Sequence, residues 1–146
     1  MVRVIRPEHH NLTSGVEPTR NNWHRSLVVA LAVALVGCAI HDVAELGAPD
    51  VSNTGALLTV GVAGVWCASS NRHRQQAVGV DLLIAAAGTF LIGGAIASVL
   101  PFPFWPWQPE QSAARYAVHT LWAAAMVPLL VVGVRARERA ARAQSR

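Results

Sequence analysis

Lysine is absent from the 146 residues, and all 12 basic side chains are arginines. Such a bias is what a GC-rich genome produces, and it removes any P-loop, whose lysine reaches the phosphates of a nucleotide. Charged residues of both signs make up only 14% of the chain, against roughly a quarter in an ordinary soluble domain. Too little polar surface is left to wrap a domain of this size in water. Cysteine is nearly missing: Cys38 and Cys67 stand apart, with no C-x-x-C. That excludes a disulfide framework and leaves a thiol oxidoreductase without its dithiol. No segment repeats, and no zincin motif or nucleophile elbow is present. Nothing in the motifs points to an enzyme, and none carries a resemblance to a known family.

What the chain has in quantity is apolar length. Hydrophobic residues make up 53% and the mean hydropathy is +0.36. Four apolar stretches stand out, at about 26–46, 51–69, 80–100 and 113–134. Each approaches the roughly 20 residues a helix needs to cross about 30 Å of hydrocarbon. Lipid leaves backbone groups no outside partner, so stretches of this length are expected as helices. They show no period-two alternation that would argue for strands. The expected fold is all-α, an integral membrane four-helix up-and-down bundle. Residues 1–25 form an N-terminal segment expected to be disordered. Residues 26–134 form the transmembrane domain and residues 135–146 a basic tail.

The links read as turns. Gly47 and Pro49 stop the first span, with glycine suited to a left-handed cap. A polar link is expected from Asn71 to Gly79. The segment from Pro101 to Trp107 is rigid and aromatic, suited to the headgroup layer, with a lid over a nearby site as the rival reading. Eleven of the 12 arginines fall in the N-terminal segment, the middle link and the tail; Arg115 alone lies on the opposite side. By the positive-inside rule the arginine-rich side is cytoplasmic, so the expected topology is N-in and C-in in a bacterial inner membrane. The tail, with five arginines against Glu138, would touch anionic lipid; lacking aromatics, it is a poor nucleic-acid binder. A competing reading takes Leu35 to Cys38 as a lipobox, with Cys38 lipidated. Against it, the preceding segment is long for a signal sequence and the apolar run continues past the cysteine.

Ionisable residues inside a span cost free energy and so mark the place to look. His41, Asp42 and Glu45 lie near the outer end of the first span, Arg115 and His119 near the outer start of the fourth. At 1.5 Å rise per residue both histidines fall about 21–22 Å above the inner face. First and last helices of an up-and-down bundle are neighbours. His41 shares a helix face with Glu45, as Arg115 does with His119 and Trp122. A polar pocket of His41, Asp42, Glu45, Arg115 and His119 is therefore expected, walled by Tyr116 and Trp122. His41 and His119 are the candidate metal or haem ligands, or members of a proton relay. The plainer expectation is no cofactor: a carboxylate pairs with Arg115 and the cluster merely joins two helices. Gly88, Gly93 and Gly94 are candidate packing positions, within the bundle or against a second copy. Asp81 is read as complementing the helix dipole at the start of span three.

Two functional classes follow. One is a non-catalytic subunit or partner of a larger membrane complex, held by its glycine faces. The other is a small-solute or proton-coupled transporter, or a metal- or haem-binding protein, that uses the outer pocket.

Overall fold

The computed structural model describes residues 18–101, 103 and 111–144, and all regular structure among them is helical. Helix α1 spans Pro18–Leu46. Proline suits the first helical position, where its missing N–H costs no hydrogen bond. The helix thus begins well before the apolar run, and residues 18–25, expected to be disordered, are helical. No breaker interrupts this polar turn, and Trp23 packs on the core. Residues 1–17, the rest of that segment, lie outside the described residues. The helix ends at Gly47, whose φ of +80° is open to glycine at little cost. Its N–H donates to the carbonyl of Val43 at 3.0 Å.

The second span opens with a π-helical turn, Val51–Gly55, and continues as α2, Ala56–Ala68. Asp50 caps it, its carboxylate accepting the Ser52 N–H at 3.0 Å. Helix α3 runs His73–Thr89 and passes into a π-helical segment, Phe90–Ala97. The polar link expected from Asn71 to Gly79 is therefore shorter, because residues from His73 onward are already helical. Arginine, glutamine and alanine are good helix formers, so apolar character begins later than the helix does. Helix α4, Ala113–Gln144, runs through Pro128. The basic tail is its continuation as far as residue 144. The aromatic link, apart from Pro101 and Pro103, lies outside the described residues.

The packing order follows from which side chains meet. Helix α1 packs chiefly on α4, α2 on α3 and α3 on α4, with a lighter contact between α1 and the second span. Each neighbouring pair is antiparallel. On α1 and α4, Glu45 meets Arg115 and His41 meets His119. On α3 and α4, Asp81 meets Arg137 at 3.1 Å, while an added Cβ on Gly133 would touch Ile84. The dipole role expected for Asp81 gives way to this pair, since the residue sits in the third turn of α3 rather than the first. The core along α1 and α4 holds Leu27, Leu31, Ala34, Cys38, Met126 and Leu129, with Leu31 reaching Gly61 on α2.

Close backbone approach explains the key small residues. A Cβ on Gly79 would lie 2.3 Å from the Ala68 nitrogen and 2.5 Å from the Gly64 carbonyl oxygen. Helices α2 and α3 cross there almost backbone to backbone. A Cβ on Gly94 would lie 2.5 Å from the Trp122 ring. Gly88 and Gly93, expected as packing positions, have nothing within 4 Å of an added Cβ. They face outward, so neither packs the bundle itself.

All four spans are long and apolar enough to cross a membrane, with window hydropathies from 1.4 to 2.3. Their outward surface is apolar too: Val51, Trp66 and Ile92 are 84%, 80% and 65% exposed. A soluble bundle would put polar side chains at such positions; helices in lipid need none.

Candidate functional site

The polar cluster sits where the end of α1 meets the start of α4 and the opening turn of the second span. Glu45 and Arg115 close its rim with an ion pair of 2.7 Å, both side chains about one-fifth to one-quarter exposed. One helical turn deeper are the two histidines, His41 and His119, with ring centroids 4.7 Å apart and planes nearly perpendicular. Trp122 forms the floor, stacked on His41 at 3.9 Å and itself held edge-on by Phe90. Gly94 gives the indole room. The four-residue spacing of His41 with Glu45, and of Arg115 with His119, puts each pair on one helix face. Antiparallel packing then brings the two faces together.

Asp42 does not share that face. One residue from His41 on a helix is a rotation of about 100°, which turns its fully buried carboxylate toward the second span. There it accepts the Asp50 N–H at 3.0 Å, the Thr54 N–H at 3.3 Å, the Thr54 hydroxyl at 2.6 Å and the Asn53 amide at 3.1 Å. His41 Nδ1 lies 3.2 Å from its other side. A buried carboxylate is tolerable when so many donors converge on it. Asp42 is thus the tie between α1 and the π-helical turn. Asn53 and Thr54 were not singled out in the sequence, although a polar Asp-Val-Ser-Asn-Thr opening on an apolar span signalled that something there needs hydrogen bonds.

The other groups are paired as well. His119 Nδ1 is 3.0 Å from the Arg115 carbonyl, its preceding helical turn. Tyr116 is exposed and donates outward to Gln111, so only Trp122 of the two expected walls lines the cluster. Two buried donors, Trp122 Nε1 and Arg115 Nε, have no hydrogen-bond partner among the described residues.

This geometry limits what the cluster can hold. Axial imidazoles bind metal at about 2 Å through nitrogen, which puts ring centres about 6 Å apart across a haem. At 4.7 Å, with Trp122 covering His41, no porphyrin fits between the two rings. Among the described residues no group of three or more His, Cys, Asp or Glu side chains is arranged to hold a metal ion. Cys38 and Cys67 are both free thiols.

Below the cluster the bundle is dry. No acidic, basic or histidine side chain occurs at 26–40 on α1 or at 120–134 on α4. Comparison of the chain with family models, with curated proteins and with solved structures finds no match.

Proposed function

We propose that this chain is a multi-pass protein of the cell membrane, both termini cytoplasmic, serving as a non-catalytic subunit or partner of a larger membrane assembly. The observation that carries this reading is the self-sufficiency of the polar cluster. Asp42 is saturated by Asp50, Asn53, Thr54 and His41, and Glu45 is matched by Arg115. Groups so used hold helices together and have little left for a substrate. A transporter would also need a polar route onward, and the seam toward the other end offers only Ala34, Leu31, Met126, Leu129 and Leu27. The concentration of arginine at one end of the bundle supports the orientation.

The partner surface that suits this role is the outer face around Gly88 and Gly93, where nothing from the chain itself approaches and where close helix approach is open to a neighbour. Two variants test the proposal. His119→Ala should leave insertion and complex formation intact, whereas Gly93→Leu should leave the bundle folded but abolish co-purification of native partners. Loss of a measurable activity in His119→Ala, with Gly93→Leu silent, would overturn it.

A second reading draws on Arg115 Nε and Trp122 Nε1, both buried and without a hydrogen-bond partner among the described residues. Arg115 Nε, at the Glu45–Arg115 rim, suits the first contact of a small hydrogen-bond acceptor, and Trp122 Nε1, two helical turns deeper, the last. Its signature would be a change in Trp122 fluorescence on titration with the ligand, absent in Trp122→Phe.

A further inference from the structure

At the opposite end of the same seam, a groove of about 380 Å³ opens on the outer surface between α1 and α4. Val29 and Val33 form one wall, Pro128 and Val132 the other, and Arg25 stands at its mouth. Ala30, almost fully buried, is the floor. Two sequence choices create the hollow. Alanine at position 30 leaves the space a larger side chain would fill, and Pro128 presents a compact ring. From Arg25 to Val33 the groove extends about 12 Å along the helix axis, most of the depth of one hydrocarbon leaflet, about 15 Å.

The charge at the mouth is doubled. The Glu45–Arg115 and His41–His119 pairs set the register of α1 on α4. That register puts Arg25 and Arg135 at the same depth, and Arg135, seven residues or two turns beyond Pro128, continues the α4 stripe that lines the groove. Neither arginine forms an ion pair among the described residues. Arg137 and Arg142, by contrast, are engaged by Asp81 and Glu138. An apolar slot nearly one leaflet deep, ending at guanidinium groups at the headgroup level that have no ion pair among the described residues, matches one class of molecule.

We propose that this groove is a binding site for an anionic phospholipid, one acyl chain lying along Val29, Val33 and Val132 and the phosphate held between Arg25 and Arg135. Guanidinium suits the phosphate because its fork of N–H donors matches two oxygens. The site rests on the bundle standing in a bilayer, and it is independent of which end faces the cytoplasm and of the partner role proposed above.

The test is native mass spectrometry of the full chain released from detergent micelles doped with phosphatidylglycerol or phosphatidylcholine. Helical content of each variant is checked by circular dichroism. The wild type should retain one phosphatidylglycerol per chain in preference to phosphatidylcholine. Arg25→Ala should weaken that retention about fivefold, the worth of one arginine near an anionic headgroup. Val33→Trp, at a half-exposed position that tolerates bulk, should fill the groove and abolish it. Arg139→Ala, a tail arginine outside the groove, should change nothing. Equal retention of the two lipids by the wild type, undiminished retention in Val33→Trp, or a loss in Arg139→Ala as large as in Arg25→Ala would each overturn the proposal.

Discussion

Asp42 shows how one side chain can settle the geometry of a helical hairpin. Its carboxylate gathers donors from Asp50, Asn53 and Thr54, so removing it strands several part-buried N–H and O–H groups at once. Each stranded group costs about 1–3 kcal/mol. Asp42→Ala should therefore lose about 3 kcal/mol or more of stability, read as a large drop in thermal midpoint in detergent. Thr54→Val, which deletes a single donor, should cost about 1 kcal/mol. The Glu45–Arg115 pair is partly open to solvent, and its coupling in a double-mutant cycle should be no more than about 1 kcal/mol. The meeting of His41 with His119 was legible in the sequence from depth along the helices and from four-residue spacing, whereas the partner of Arg115 was left open between Asp42 and Glu45 and is Glu45. The partners of Asp42 were not legible. Its rotation away from His41 was calculable, but which neighbour it would face depended on how the second span begins.

At the scale of elements, the four apolar segments were readable because lipid imposes a length that few other environments demand. Their ends were not, since hydropathy marks where a helix becomes greasy and not where its hydrogen bonds start. The polar starts of α1 and α3 are the two instances. Glycine pattern did not say which residue packs inside the bundle: Gly93 and Gly94 are adjacent in sequence, yet within the π-helical segment Gly94 abuts Trp122 while Gly93 faces outward. The closest packing is Gly79 against Gly64 and Ala68, which share the small-x-x-x-small spacing on α2, while Gly79 comes from the facing helix. Gly79→Leu should separate α2 from α3 and prevent a stable fold, whereas Gly93→Leu should leave the stability of the isolated protein within about 0.5 kcal/mol of wild type, as expected for a surface site. The comparison needs only purified protein and a thermal denaturation series.

On the scale of the whole molecule, two unlike ends are joined by a dry middle. One end holds the paired polar cluster, the other the arginines and the groove at Arg25. Between them the seam carries no ionisable side chain that would relay a charge, apart from the fully buried Cys38 thiol. This distribution is what a bundle needs if its ends lie in opposite headgroup layers and its middle in hydrocarbon. In the proposed orientation the arginine-rich end is the cytoplasmic one. Fusing a dual phosphatase and fluorescent-protein reporter after Asp50, after Asn71 and after Arg146 tests that arrangement directly. Four antiparallel crossings with the arginine-rich end inside require phosphatase activity only for the fusion after Asp50, and fluorescence for the other two. Phosphatase activity from the reporter after Arg146, or fluorescence from the one after Asp50, would contradict it.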